Sequence, residues 1–419
     1  MIYFPFVYFS IFLTLHWLRY HKIGVGFVAI AYIDLSSLCS ILIDTRNLYG
    51  SMGVNEYAIT PFYTFLYCIL WTIILYPFTR LDNPKYNNIT INKPHFFRYL
   101  CYFICISMLI QVIAGDFIEL ATKGLSLSGL ERYEENHDIK NIESKGQFWL
   151  WIPQVVCVGY PLSLVCWFVS LTICQQSKII QSLLLILSMV KMVTNFLVGG
   201  RSALIWWVCT FILCYAFFKP FLTKKQHRTI RIISIVGFSV ILLGFLSITF
   251  SRFEDDGRGL ALDSLIAYAG QPFNNFCAML PYSEWVSFRI ERTLPLTNFL
   301  MTHNTMSLDS YYTIINNEYP IQINVFFTIF ANIIMDAGIV GLFVFLAIYT
   351  YIANHYLITR NRNETIDFSS LVIFALLTSV IVQGLFHNPF TTHTFNTYTL
   401  FSFFLYICFK YNLKKEKSI

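Results

Sequence analysis

Charge is scarce in this chain. Only 12% of its 419 residues are charged while 56% are hydrophobic, and the mean hydropathy is +0.58. Apolar segments recur from the first residues to the last, which excludes a single soluble core and places the chain among polytopic membrane proteins. The stretch Ile2–Leu18 lacks both a preceding basic region and a small-residue cleavage site, so it is read as a retained span and not as a signal peptide. The eleven cysteines form no CxxC pair and no Cys/His zinc spacing. Most sit inside apolar runs (Cys101, Cys105, Cys166, Cys209, Cys214, Cys408), where they read as small buried apolar residues and not as a disulfide framework. A convincing internal repeat is also missing.

What is present is helical in period and length. About eleven apolar runs, each near the ~20 residues that cross a bilayer, lie at 2–18, 23–43, 57–79, 97–118, 148–173, 179–198, 202–219, 230–250, 324–354, 368–387 and 394–411. The expected fold is therefore all-α, a polytopic membrane helix bundle forming one domain over residues 1–419. The aromatic content of 18% fits lipid-facing rings, packing and interface belts.

The few charges sort by side. With the amino terminus outside, the connections 19–22, 80–96, 174–178, 220–229, 355–367 and the tail after Phe409 are cytoplasmic. Counted with generous boundaries that take in flanking residues such as Arg98, Lys219 and Arg231, they then hold about 18 of the 29 Lys and Arg but about 4 of the 23 acids, as the positive-inside rule requires. Lys219, Lys224, Lys225, Arg228 and Arg231, with Lys410, Lys414, Lys415 and Lys417, carry most of that bias. It also accounts for the net charge of +6 without nucleic acid as a partner. Every cytoplasmic connection is too short for an independent domain, which argues against an enzyme using cytosolic nucleotide sugars. The only long connection, 251–323, is external and is expected to contain short amphipathic helices.

Within this frame Gly199-Gly200-Arg201-Ser202 stands out, at the external mouth of two apolar runs. An arginine there needs a polar cavity and a partner, and its planar guanidinium suits phosphate or carboxylate. Gly199 and Gly200 permit close backbone approach. After the next run comes Ser251-Arg252-Phe253-Glu254-Asp255-Asp256-Gly257-Arg258-Gly259. Its arginines either pair with the neighbouring acids in a solvated turn or join Arg201 in an anion cradle. The acidic triplet offers oxygen ligands for a divalent cation, but such turns are common, and no metal site is assigned. Further along, Leu262, Leu265, Ile266 and Ala269 recur at helical spacing with Asp263 and Ser264 opposite, predicting an interfacial helix that ends before Pro272. Arg289, Glu291, Arg292, His303, Asn304, Asp309 and Glu318 offer groups for sugar hydroxyls, and His303 titrates in the range of a general base or is an exposed loop residue. His387 and His393, flanking the last external turn, carry a weaker version of the same case. Asp34, Lys191 and Asp336 fall inside apolar runs and are expected to face the interior, with Lys191 in a structural ion pair.

The Gly199–Ser202 turn, the arginine-bearing loop after the next run, and Asn324-Val325-Phe326 followed by Asp336-Ala337-Gly338-Ile339-Val340-Gly341 together resemble the Wzy-type oligosaccharide repeat-unit polymerases of O-antigen and capsule. The resemblance covers most of the chain in layout and these short motifs in detail. O-antigen ligases share the architecture, but their loop His-Asn lies nearer a Gly-rich span start than His303-Asn304 lies to Gly338 here. The resemblance implies a GT-C-like bundle in the bacterial inner membrane, with its active site facing the periplasm. It implies a metal-independent glycosyltransferase without cofactor, acting on undecaprenyl-diphosphate-linked oligosaccharides, with a chain-length regulator membrane protein as a further partner. Arg201, Arg252, Arg258 and His303 are then the expected catalytic residues. Gly199, Gly200, Ser202, Arg289, Arg292 and Asn304 are the expected substrate-binding ones. An O-antigen ligase-like transferase and a lipid-linked sugar transporter or flippase are the rival readings.

Overall fold

Within hydrocarbon an isolated chain segment must satisfy its own backbone donors and acceptors, so long apolar runs fold as helices. The computed structural model describes residues 1–49, 54–55, 60–83, 88–114, 150–197, 200, 202–253, 261–287, 289, 291–302, 321, 327–358 and 365–411, without the side chains of 240, 241, 244–253 and 261. In chain order the elements begin with α1 (Tyr3–Tyr20), α2 (Val25–Thr45), α3 (Pro61–Leu81), β1 (Asn88–Thr90) and α4 (Pro94–Ala114). Next come α5 (Trp151–Val158), α6 (Tyr160–Thr172), α7 (Lys178–Ser188), α8 (Val190–Leu197), α9 (Ser202–Phe218) and α10 (Lys224–Phe253). The remainder is α11 (Ala261–Met279), α12 (Pro295–Thr302), α13 (Ile329–Ile352), β2 (Thr365–Asp367), α14 (Phe368–Gly384) and α15 (His393–Lys410).

The protein is thus nearly all-helical, and helix occupies each of the predicted apolar runs. Among the described residues six helices are long and apolar enough to cross a membrane, or seven if α5 and α6, bent by 66°, form one broken span. Gly159 sits at that bend because a Cβ there would come within 2.6 Å of the Tyr398 ring. Helix starts carry local signals. Thr60 accepts from the Tyr63 amide with Pro61 in the first turn, and Thr328 accepts from the Ala331 amide.

The chain divides into two compact units. The first comprises Met1–Tyr86, Leu262–Asn363 and Leu377–Asn396, and the second Asn87–Ala261, Glu364–Leu376 and Thr397–Ile419. In the first unit Asp82, just past α3, ties three helices together. Its Oδ2 accepts from His16 Nε2 at 2.8 Å and from the Gly26 and Phe27 amides at 2.9 and 3.2 Å. A carboxylate at the start of α2 satisfies amides that no helical turn can reach, and favours the positive end of the helix dipole. In the second unit β1 and β2 pair in parallel, and Lys410 Nζ donates to Asp367 Oδ2 at 2.8 Å. Burial raises the Asp367 pKa, but bonds from Lys410, Ser370 and Ser369 outweigh it and hold the carboxyl below its ordinary range.

Helix α11 corrects the sequence reading. It does not stop before Pro272, but runs to Met279 with Pro272 inside it. Leu262 is exposed, whereas Asp263 and Ser264 are buried, Asp263 against Arg46. Small residues decide this placement. Ser36 and Ser40 donate to the carbonyls of Ala269 and Gly270 at 2.6 and 2.7 Å, and a Cβ on Gly270 would meet the Cys39 backbone at 2.5 Å. The predicted ion pair of Lys191 is absent among the described residues. Asp34 does face inward as expected, accepting from the Ser10 hydroxyl at 3.2 and 3.1 Å.

Candidate functional site

The most developed polar site lies in the first unit, where helix α13 is broken. Gly338 has φ +74° and ψ −175°, a conformation essentially reserved for glycine. The break frees backbone donors, and the segment ahead of α12 takes them. Ile339 and Val340 amides donate to the Glu284 and Trp285 carbonyls, each at 3.0 Å. A Cβ on Gly338 would stand 2.7 Å from the Trp285 carbonyl oxygen and 2.8 Å from the Val286 Cα, so glycine also admits this close crossing.

Just N-terminal to the break, Asn332 and Asp336 share a helix face at i, i+4 spacing. The pinned segment delivers Arg292 to both. Its Nε donates to Asp336 Oδ2 at 3.2 Å and its guanidinium also donates to Asn332 Oδ1. Asp336 is fully buried and Arg292 is 7% exposed. The Thr293 hydroxyl donates to the same carboxylate oxygen and accepts from Asn388 Nδ2 at 3.3 Å, which joins the turn between α14 and α15 to the cluster. Asn332 in turn donates to the Phe327 and Thr328 carbonyls at 3.2 and 3.1 Å. The cluster therefore holds Arg292 rigidly, with much of its charge met by Asp336.

His387, beyond the end of α14, responds to this site. Burial and the Arg292 charge bring its imidazole down to about 4, so it is neutral near pH 7. An unfolded chain takes up a proton at an ordinary histidine pKa near 6.5, while the folded one resists until about 4. Stability is thus full above about 6.5 and falls as the pH drops toward 4. Thermal melts of the detergent-solubilised protein across that range are expected to drop for the natural chain and to flatten for His387→Gln. An unchanged slope in the variant would assign the acid sensitivity elsewhere.

Comparison with protein-family models, curated proteins and solved structures finds no match. Among the described residues, no group of three or more His, Cys, Asp or Glu is placed to hold a metal ion.

The expected site residues fall in both units. Gly200 and Ser202 belong to the second unit, and Ser202 is the first residue of α9. A Cβ on Gly200 would stand 2.4 Å from Asn195 Oδ1, so the glycine makes room for this amide, and the Gly200 amide donates to the Asn195 carbonyl at 2.7 Å. Asn195 Oδ1 is buried and has no hydrogen-bond partner among the described residues. Nothing in the sequence reading singled out Asn195; a polar residue four before a Gly-Gly pair was the available signal. Arg252 lies on the last turn of α10, where no side chains are described. Arg289 and Arg292 belong to the first unit, with Arg289 half-buried and Arg292 turned onto Asp336. Gly199, Arg201, Arg258, His303 and Asn304, together with the acidic triplet Glu254–Asp256, lie outside the described residues.

Proposed function

We propose that this chain is a glycosyltransferase that polymerises undecaprenyl-diphosphate-linked oligosaccharide repeat units, as O-antigen or capsule, on the periplasmic side of a bacterial inner membrane. In this reading the bundle is GT-C-like with about eleven spans. The observation that supports it is the Asn195 carbonyl oxygen, without a hydrogen-bond partner among the described residues and packed against Gly200, the residue that precedes Arg201 in sequence. A buried acceptor without a partner is costly, and a guanidinium or a sugar hydroxyl relieves that cost.

In the proposed step the bond from the anomeric carbon to the diphosphate oxygen breaks. A new bond forms to the terminal hydroxyl of the incoming repeat unit. The hydroxyl proton passes to a base such as His303 or Glu291, and the lipid diphosphate leaves with the electron pair. Arg201, Arg252 and Arg258 stabilise the charge that grows on the leaving group, and no metal or cofactor enters. Arg201→Ala is expected to cut polymer formation by roughly 10²-fold, and Arg201→Lys to restore part of it because lysine lacks the bidentate fork. Glycan ladders at matched protein levels read this out, and a full-length ladder from the alanine variant would remove Arg201 from the mechanism. Deletion of the gene should leave a single repeat unit on the lipid A core, whereas loss of a ligase leaves none.

A transporter of lipid-linked sugars is the second reading. It is favoured by one helix break in each unit, at Gly159 and Gly338, since transporters build midplane sites from discontinuous helices. Purified protein given substrate already on the external face separates the two, because only a polymerase lengthens it.

A further inference from the structure

The second unit carries an apolar groove of about 660 Å³ that the proposed function leaves unused. Leu185 of α7, Trp207, Phe211 and Tyr215 of α9, and Phe238 of α10 line it, and Arg231 is its charged member. Helix α10 is exposed along much of its described length, including Ile232, Ile235 and Val236. A Cβ on Gly237, which also lines the groove, would meet nothing within 4 Å, so the space is open there.

Orientation along the groove is fixed by a contact at one end. Tyr215 and His227 hydrogen-bond at 3.2 Å, setting the basic start of α10 beside the last turns of α9. Lys224, Arg228 and Arg231 follow one another at i, i+4 and i+7, a single stripe of the helix, and all three are exposed. One end of the groove therefore meets a column of cations, and the remainder is walled by aromatic and aliphatic side chains. Arginine at such a position recognises phosphate oxygens by charge-assisted bonds, and basic pockets between membrane helices select anionic headgroups.

We infer that this groove binds an anionic phospholipid, its phosphate held by Arg231 and Arg228 and one acyl chain lying along Trp207 and Phe238. The site is separate from the glycan chemistry and stands or falls independently of it.

The test uses the full chain in detergent, titrated with phosphatidylglycerol carrying a brominated acyl chain that quenches nearby tryptophan. Saturable quenching is expected, and the part assigned to the groove is the difference from a Trp207→Phe variant. Phosphatidylcholine with the same chain should bind more weakly. The double variant Arg228→Gln/Arg231→Gln should lose affinity for phosphatidylglycerol by about fivefold per charge removed, with phosphatidylcholine unchanged. Both arginines are exposed, so folding should be preserved. Gly237→Phe fills the open space and should abolish Trp207 quenching by both lipids. Equal affinity for the two lipids, or an unmoved double variant, would overturn the headgroup assignment. Undiminished quenching in Gly237→Phe would overturn the chain placement. Displacement of the brominated lipid by an equal concentration of inorganic phosphate would make this a free-anion site instead.

Discussion

Asp336→Ala is expected to cost about 3–5 kcal/mol of stability, because it strips a buried arginine of its carboxylate. Arg292 is 7% exposed and donates to Asp336 and Asn332, so the variant leaves a cation in a site with little water to screen it. The Thr293 hydroxyl loses its acceptor in the same step. Asp336→Asn keeps an acceptor for Thr293 while removing the charge, and should fall between the natural chain and the alanine variant. The pair itself is not expected to be worth the full loss. Desolvating two charges offsets most of their attraction, so the double replacement Arg292→Met/Asp336→Leu should recover much of what Asp336→Ala loses. Thermal melts in one detergent read all four proteins. An alanine variant as stable as the natural chain would mean that Asp336 does not neutralise Arg292.

Sequence reasoning reached Asp336 and Arg292 separately but not their pairing, and the reason is physical. A carboxylate inside an apolar run must face inward, which one residue in its local context reveals. Arg292 lies 44 positions away in a connection with no helical period, and only the break at Gly338 brings it back. The helices were legible because an apolar run in a membrane has one stable backbone solution. Helix α11 was misread because its pattern is set by helix approach and not by water. Gly270, Ser36 and Ser40 draw two backbones together, so the polar stripe with Asp263 and Ser264 turns inward and Leu262 turns out. The Asp82 clasp escaped for a related reason. Its partners are backbone amides exposed by the start of α2, and a carboxylate after an apolar run looks like any loop acid. Of the candidate site, Arg292 was marked as a binding residue by type alone. Its fixed, paired state follows from Asn332, Thr293 and Asn388, none of which carries a sequence signal.

Gly338→Val should be the most damaging single change, on the order of 5 kcal/mol, from two sources that act together. The first is backbone strain. At φ +74° and ψ −175° a β-branched residue has no comfortable conformation, and this alone costs about 1–3 kcal/mol. The second is the crossing segment. The new Cβ would overlap the Trp285 carbonyl oxygen and the Ser287 amide nitrogen, at 2.7 and 2.9 Å, and these are backbone atoms that cannot rotate aside. If the segment moves away, the Ile339 and Val340 amides lose the Glu284 and Trp285 carbonyls, and an orphaned amide that water does not reach costs about 1–3 kcal/mol. If the helix instead closes into a regular turn, the amides are satisfied internally but 284–287 loses its anchor, and Arg292 loses the path that delivers it to Asp336. Either route couples the break to the ion pair. Gly338→Val and Asp336→Ala should therefore be less than additive when combined, whereas additivity would show that the two act separately. Gly237→Ala provides the contrast. Its Cβ enters open space on a helix, so the same glycine-to-side-chain change should be neutral or stabilise by up to about 1 kcal/mol. A loss at Gly237 matching that at Gly338 would count against the conformational argument, since only one of the two positions demands what glycine alone supplies.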